Sequence, residues 1–199
     1  MINNTIVISD LHLGRNDSNV NELLEFIRST PSKILVLNGD IFDQFAFFKD
    51  RGKLYRTEHQ QIVKKIRAIL KIRKTKIIYL VGNHDYLAFL FVPFGFLLGM
   101  KIRKRIIIND IIIEHGDWIT FYLWLRRIKK SYDYHENCIT FAKAKNKKLV
   151  VGHSHYPEKL RVNDWVYDEG DWVENNTYLT INGGMVELVD TLDLKSSGQ

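Results

Sequence analysis

Acidic, amide and imidazole side chains follow five apolar runs of the sequence, each within a few residues of the point where the run ends. The polar blocks read Asp-Leu-His, Gly-Asp, Gly-Asn-His-Asp, His-Gly-Asp and Gly-His-Ser-His. Their candidate metal ligands are Asp10, His12, Asp40, Asn83, His115, His153 and His155. Because functional groups gather at the carboxyl ends of strands in open α/β sheets, we expect these side chains to lie close together.

These donor types limit the metal chemistry that the site could support. Imidazole and carboxylate donors without thiolates favour Mn, Fe, Zn or Ni over copper(I) and iron–sulfur clusters. Seven donors exceed what one tetrahedral ion needs. They suit two ions about 3.5–4 Å apart, as in phosphoryl transfer. One carboxylate would bridge the two ions, and Asp40 suits this role because it follows a strand and a single Gly.

The charge balance of such a site favours a phosphate ester as substrate. Two divalent ions carry more positive charge than Asp10 and Asp40 return. The remaining charge would hold an anionic phosphate and acidify a bridging water into a hydroxide nucleophile. The sequence contains neither a P-loop nor a Gly-Xaa-Ser-Xaa-Gly elbow, which favours the hydroxide as the nucleophile.

Alternating strand and helix patterns must position these blocks. Short apolar, β-branched runs predict strands at Thr5–Ser9, Lys33–Leu37, Lys76–Val81, Arg105–Ile108, Ile111–Glu114, Lys148–Val151, Trp165–Tyr167, Thr177–Ile181 and Met185–Leu188. Apolar residues at helical spacing predict helices at Asn19–Ser29, at Glu58–Lys74 and within Trp118–Ala144. The β-α-β-α-β order at the start of the chain implies a mostly parallel sheet. Asn109-Asp110 is the predicted turn of a hairpin.

Composition excludes several other classes of protein. The 199 residues are 45% hydrophobic and include one Cys. This excludes a disordered chain, a disulfide framework and a thiolate zinc site. The net charge of +6 favours anionic partners such as phosphate esters, nucleic acid or an acidic membrane surface. We find no signal-peptide pattern and no uninterrupted apolar run of about 18 residues, so we expect a cytoplasmic protein without a transmembrane helix.

The five blocks, from Ser9 to His155, resemble those of the calcineurin-like metallophosphoesterase family, whose pattern is Asp-Xaa-His, Gly-Asp, Gly-Asn-His-Asp/Glu, His and Gly-His-Xaa-His. The resemblance implies a four-layer α/β/β/α sandwich of two mixed sheets flanked by helices. It implies one domain over residues 1–199, with helical cap or lid insertions at about 86–104 and 118–147.

The resemblance also implies a role for each site residue. One metal would be held by Asp10, His12, Asp40 and His155, and the other by Asp40, Asn83, His115 and His153. Catalysis would fall to His84, which contacts the phosphate and protonates the leaving oxygen, while Asp85 orients it. The expected cofactors are two divalent ions, with Mn preferred over Fe, Zn or Ni.

Two further residues near the blocks are candidates for substrate binding. Arg15 follows His12 by three residues and could reach the substrate phosphate, with a solvated arginine as the equal alternative. Asp43 could act behind the metal ligands or cap the next turn.

Within the family, the chain is most similar to the UDP-2,3-diacylglucosamine pyrophosphatase-like branch. The similarity lies in the segments Ser9–Gly14, Gly39–Asp43, Tyr167–Thr177 and Gly184–Leu188. It implies cleavage of a nucleotide-sugar pyrophosphate that carries acyl chains. Members characterised as that lipid enzyme typically have Arg at the position of His84, which is a departure from their pattern.

Two aromatic and apolar stretches near the site, Tyr86–Met100 and Trp118–Phe141, have two interpretations. One is a cap with an acyl groove and a basic rim, which would rest on the anionic inner membrane surface as a peripheral contact. The other is a buried helix with a lid or a dimer interface.

Three classes of function follow from these observations. The leading one is metal-dependent hydrolysis of a phosphodiester or pyrophosphate bond in a phosphate ester, which could be lipid-linked. The alternative is a nuclease or general phosphodiesterase of the same superfamily, although the scattered basic residues do not favour a nucleic-acid partner. The third is a non-catalytic scaffold, against which the complete set of ligands argues.

Overall fold

A computed structural model of the protein describes residues 3–86, 100–126, 128, 133–157 and 165–191. Its strands are β1 (Asn3–Ile8), β2 (Ser32–Asn38), β3 (Lys76–Leu80), β4 (Lys101–Arg103), β5 (Arg105–Ile108), β6 (Ile111–Glu114), β7 (Lys148–Val151), β8 (Val166–Asp168), β9 (Thr177–Asn182) and β10 (Met185–Asp190). Its α-helices are α1 (Val20–Ser29), α2 (Gln44–Asp50), α3 (Gln60–Ile72), α4 (Ile119–Leu125) and α5 (Tyr134–Lys145), and a π-helical turn at Tyr55–His59 precedes α3.

The strands form two mixed sheets, as predicted. The first has the order β10-β9-β1-β2-β3-β4, in which β1 to β4 are parallel and β9 and β10 are antiparallel to their neighbours. The second has the order β5-β6-β7-β8, in which only β5 is antiparallel. The predicted hairpin joins β5 to β6, and its turn residues Asn109 and Asp110 have φ angles of 49° and 66°. Left-handed residues at both central positions match the twist of the two strands.

The two sheets face each other across an apolar layer. Successive side chains of a strand point to opposite faces. Val7 of β1 therefore packs with Ile113 of β6 and Val150 of β7 between the sheets. Ile6 and Ile8, its neighbours in sequence, pack instead in the cluster that includes α1 and α3. The result is the predicted order of helices, sheet, sheet and helices.

The first helical layer includes the amphipathic helix α3. α3 buries Val63, Ile66 and Leu70, while Lys and Arg residues occupy many of its other positions. The sequence predicts a stripe of Ile62, Ile66, Ile69 and Leu70; of these, Ile66 and Leu70 are buried, and Ile62 and Ile69 pack partly buried beside them. Among the described residues, no helix is both long and apolar enough to span a membrane.

The segment predicted as the second insertion, 118–147, contributes the other helical layer in its described part. α4 and α5 pack on the outer face of the second sheet, where Ile119 and Phe141 are fully buried with Leu149 of β7. In the first predicted insertion, residues 87–99 lie outside the described residues. The chain beyond them forms β4, which pairs with β3 in the first sheet.

Truncation of the layer between the sheets will test this architecture. Ile113 is fully buried there, so Ile113→Ala is expected to lower the free energy of unfolding by about 2–5 kcal/mol. Ile107 lies in the same hairpin but is 56% exposed, so Ile107→Ala is the matched control and should change stability by about 0.5 kcal/mol or less. Urea denaturation measures both changes. Equal losses would contradict the assignment of Ile113 to the core.

Candidate metal centre and active site

The predicted ligands follow the carboxyl ends of β1, β2, β3, β6 and β7, and the two facing sheets bring these ends together. Six of the seven fall into groups whose ligand atoms all lie within 4.8 Å of one another. The groups are Asp10-His12-His155, His12-Asp40-His84 and Asp40-His115-His153. The first and third groups each contain three of the four ligands predicted for one metal site. Asp40 belongs to the third group and, in the second, lies near His12 of the first, so it stands between the two predicted sites.

The loops after β1 and β2 are held to each other by backbone hydrogen bonds. The Asp10 N–H donates to the carbonyl of Gly39 over 3.1 Å, and the His12 N–H donates to the carbonyl of Asp40 over 3.0 Å. Strand pairing thus continues past the sheet into the site. The two carboxylates are held in register by the same hydrogen-bond pattern that forms the sheet.

Several ligands occupy a backbone conformation that L-residues rarely adopt. Positive φ angles occur at Asp10 (52°), His12 (44°), Asp40 (51°), His153 (71°) and His155 (58°). Each such residue costs of order 1 kcal/mol or more, and the conformation persists only where surrounding contacts determine it. These unfavourable φ angles are concentrated at the ligands. The fold therefore accepts local backbone strain in order to place the ligand side chains.

Two glycines allow the loops to approach this closely. A Cβ at Gly39 would lie 2.4 Å from Cγ of the His115 ring, and a Cβ at Gly82 would lie 2.2 Å from Oδ1 of Asp40. Both distances are far shorter than van der Waals contact. These two glycines are therefore required because they pack against ligands from other strands.

In two of the histidines, a hydrogen bond at Nδ1 directs Nε2 toward the ligand groups. His115 Nδ1 lies 2.9 Å from the carbonyl oxygen of Asn38, so it must carry the proton and donate it. His115 Nε2 is then directed at Oδ2 of Asp40, 3.2 Å away. His12 Nδ1 lies 3.2 Å from Oδ2 of Asp43, which leaves His12 Nε2 facing the first group. Such outer partners are typical of metal-binding histidines.

The spacing of the ligand atoms in the first group suits a divalent cation. His155 Nε2 lies 3.0 Å from Asp10 Oδ1 and 3.4 Å from His12 Nε2, and the latter two atoms are 3.8 Å apart. One ion about 2.1 Å from each atom would fit this spacing. Asn83 Oδ1 is buried and has no hydrogen-bond partner among the described residues. A buried amide oxygen without a partner is costly, and a metal ion would satisfy it.

The charges of the site attract protons as well as cations. Burial alone would lower the pKa of His115, but the carboxylates of Asp10 and Asp40 outweigh it and raise the pKa to about 10. Burial would likewise raise the pKa of Asp10, yet His115 and His155 hold it well below its usual range. Asp10 and Asp40 therefore stay ionised although they are buried.

The imidazole of His84 is oriented by a residue other than the one predicted. His84 Nδ1 lies 3.2 Å from Oδ2 of Asp43, and this hydrogen bond raises the pKa of His84. The predicted partner, Asp85, is fully buried and accepts hydrogen bonds from the Phe42 N–H and the Tyr79 hydroxyl. The Asp85 carboxylate faces inward because β3 and the loop before α2 surround it with donors. Asp85 therefore stabilises the surrounding loop, and Asp43 orients the imidazole of His84.

The two candidates for substrate binding have different surroundings. Asp43 is buried, bonds both His12 and His84, and caps α2 by accepting from the Ala46 N–H over 2.8 Å. It therefore acts behind the ligands, the first of its two predicted alternatives, and also caps the next helix, the second. Arg15 is partly exposed and pairs with Asp17, with Nε 2.9 Å from Oδ1.

A polar cluster behind the last block was not predicted. The Ser154 hydroxyl donates to Oδ2 of Asp168 over 2.6 Å, and His135 Nε2 lies 3.0 Å from the same oxygen. Because Ser154 lies between His153 and His155, this cluster anchors the loop that carries two ligands. Asp168 lies in the segment Tyr167–Thr177, whose acidic residues were visible in the sequence without an indication of what they contact.

Comparisons with known proteins agree with this geometry. The family model described as calcineurin-like phosphoesterase matches residues 4–189. The fold is similar to that of Pseudomonas putida nuclease MPE, at 14% identity over 93% of this chain and 87% of that chain, with a TM-score of 0.50. It is also similar to TT1561 of Thermus thermophilus, at 11% identity over 96% and 99% of the two chains, with a TM-score of 0.52. The sequence has no significant match among curated proteins.

Replacement of the shared carboxylate should weaken both metal sites together. We expect the wild-type protein to bind two Mn²⁺ ions and Asp40→Asn to bind each of them more than about 100-fold more weakly. Asp117→Asn is the control, because Asp117 pairs with Lys104 and belongs to none of the ligand groups. Calorimetric titration measures affinity and stoichiometry. Loss of one ion with unchanged binding of the other would contradict a shared ligand.

Metal binding should strengthen as the pH rises. With a pKa of about 10, His115 carries a proton near neutrality that a cation must displace, whereas the low pKa values of Asp10 and Asp40 leave no proton to lose there. The Kd for Mn²⁺ should fall about tenfold per pH unit between about pH 6 and 8 for each proton released. Titrations in buffers of different ionisation enthalpy count these protons. A pH-independent Kd would contradict the prediction.

Proposed function

The chain belongs to the calcineurin-like phosphoesterase family, and on this basis we propose that it hydrolyses a phosphodiester or pyrophosphate bond with two divalent ions, Mn²⁺ being the expected metal. The observation that carries the proposal is the position of Asp40, whose carboxylate lies near His12 of the first predicted ligand set and near His115 and His153 of the second. A shared carboxylate favours a paired-ion site, which is the arrangement that suits displacement at phosphorus.

The two ions would be held by separate sets of residues with one member in common. The sets are Asp10, His12, Asp40 and His155 for one ion, and Asp40, Asn83, His115 and His153 for the other. When bound, such ions supply Lewis acidity that stabilises negative charge on a phosphoryl group. The protein's own contribution is to hold these donors rigidly, through the backbone pairing and left-handed residues described above.

His84 is the best-placed proton donor for the leaving oxygen. Its Nδ1 is engaged by Asp43, so its Nε2 remains for the substrate. The side chain is 26% exposed, whereas the neighbouring His12 and His115 are buried. Because Asp43 raises its pKa, a larger fraction of His84 is protonated near neutrality, as a general acid requires.

The segment that suggests the lipid branch has a structural role. The Ser9 hydroxyl donates to the carbonyl of Gly170 over 3.2 Å, and the Trp172 N–H donates to the carbonyl of Asp10 over 3.3 Å. Residues 167–177 thus support a metal ligand from behind. UDP-2,3-diacylglucosamine is therefore one candidate substrate to be tested, and it draws support from the sequence resemblance alone.

One comparison of substrates tests the proposal. The purified protein is stripped of metal, reloaded with Mn²⁺, and assayed on UDP-2,3-diacylglucosamine, bis-p-nitrophenyl phosphate and duplex DNA at low salt. We expect Mn²⁺-dependent hydrolysis of at least one of them and its loss in Asp40→Ala. Release of UMP with little action on the small diester would identify the lipid nucleotide-sugar enzyme, and cleavage of DNA would identify the nuclease. Near-wild-type turnover in Asp40→Ala would refute the metal mechanism.

The role of His84 predicts a dependence on the leaving group. His84→Gln should lower kcat by about 10²–10⁴-fold for diesters with alkyl leaving groups, which need a proton. The loss should be much smaller for p-nitrophenolate, which departs as an anion. Asp43→Asn should move the alkaline limb of the kcat–pH profile to lower pH, because removal of the carboxylate lowers the pKa of His84. Glu25→Gln, at an exposed acid outside the ligand groups, is the control.

Equal losses for both leaving groups would contradict a proton-donor role for His84. An unchanged Mn²⁺ affinity in His84→Gln, measured by calorimetry, separates this role from metal binding.

A further inference from the structure

A groove of about 810 Å³ opens directly beside His84. Its walls come from the loop after β1, from α2 and from the chain that follows α2. The lining residues are Gly14, Arg15, Asn16, Asp17, Asp43, Phe45, Ala46, Lys49, Asp50, Leu54 and His84. We call it the Phe45 groove. None of the predicted metal ligands lines it, so it is a space next to the reacting centre and separate from the ions.

The groove contains an exposed aromatic ring at a set distance from the imidazole. Phe45 is 62% exposed, and its ring centroid lies 5.2 Å from that of His84, at an interplanar angle of 82°. Phe45 belongs to α2, whose first turn is capped by Asp43. The same carboxylate bonds His84, so one residue determines the positions of both rings. An exposed aromatic face that is held in place beside a proton donor is suited to stacking.

The charged residues of the groove are mostly committed to partners within the protein. Arg15 pairs with Asp17, Asp43 bonds the histidines, and Asp50 accepts from the backbone N–H groups of the turn that follows α2. Lys49, four residues after Phe45, is exposed and forms no ion pair with any residue in the described part of the chain. Its charge is therefore available to an anionic group of a ligand.

The lining also discriminates between ligand types. Apart from Phe45, the only apolar side chains in the lining of the groove are those of Ala46 and Leu54. Gly14 has no side chain, and the other lining residues are polar or charged. An acyl chain requires a continuous apolar wall, which this groove lacks. An aromatic heterocycle presents a face for stacking and polar edges for hydrogen bonds, so it matches one exposed ring surrounded by polar groups.

We propose that the Phe45 groove binds the nucleobase of a nucleoside phosphate, which stacks on Phe45 while its phosphate lies toward His84 and the positive charge of Lys49. This inference rests on the proposed function, because it names the substrate class of the same site. It makes the enzyme a hydrolase of nucleotide-containing phosphate esters, with the base recognised by stacking and by polar contacts at its edges.

Direct binding to the Mn²⁺-loaded full chain tests the proposal without reliance on turnover. UMP and AMP are compared by calorimetry with ribose 5-phosphate, which has the sugar phosphate without the base. We expect the nucleotides to bind about tenfold more tightly or better, since base stacking on an aromatic side chain contributes a factor of about that size. Phe45→Ala should remove this preference and leave ribose 5-phosphate binding unchanged, whereas Phe45→Trp should keep it.

Phe48 supplies the matched control, because it is 49% exposed on the same helix but does not line the groove. Phe48→Ala should retain the preference for nucleotides. The proposal is overturned if the wild-type protein binds ribose 5-phosphate as tightly as the nucleotides, or if Phe45→Ala keeps the preference. Tighter binding of decyl phosphate than of UMP, lost in Phe45→Ala, would overturn it in favour of an alkyl ligand. Base-dependent binding without hydrolysis would instead refute only the proposed function.

Discussion

Two buried carboxylates that remain ionised are the constraint to which the rest of the site responds. Asp10 and Asp40 follow adjacent parallel strands and are almost fully inaccessible to water. Desolvation and their mutual repulsion both oppose ionisation, and unpaired buried charge is among the costliest features of a folded protein. His115 and His155 compensate by lying within ion-pair distance, which is why these carboxyls keep pKa values below the usual range. The negative charge of Asp10 and Asp40, which keeps His115 protonated, would also attract divalent cations.

The surrounding acids show that this compensation is local. Burial raises the pKa of Asp85 to about 6 and that of Glu169 well above its usual value. Asp85 accepts hydrogen bonds from neutral donors, and Glu169 accepts one from Asn38. Asp10 and Asp40, which face the ligand cluster, have histidine partners instead. The acids at this sheet edge are thus of two kinds. Asp10 and Asp40 are charged and face the ligand cluster, whereas Asp85 and Glu169 have raised pKa values and hydrogen-bond to the surrounding chain.

Asp43 connects three functions that are separate in the sequence. It caps α2, orients His12 toward the ligand cluster and raises the pKa of His84. Because α2 also carries Phe45, the exposed ring and the proton donor are positioned by one carboxylate. Motion of this helix would therefore disturb metal coordination, protonation and the groove together. A residue that lies behind the site can in this way control chemistry that it does not contact.

The sequence alone indicated that the five polar blocks meet at one edge of a largely parallel sheet, because polar blocks at strand ends are local patterns and parallel strands bring their ends to one edge. The two mixed sheets and their four-layer order followed from the resemblance of these blocks to the family. Side-chain packing in three dimensions was needed to show that Asp43, and not the predicted Asp85, contacts the His84 imidazole. Asp85 points into the protein and Asp43 reaches two histidines from other parts of the chain. Two other features also depend on contacts between segments that are distant in sequence. They are the packing of α4 and α5 on the second sheet and the exposure of Phe45. The spacing of apolar residues along the chain does not encode such contacts.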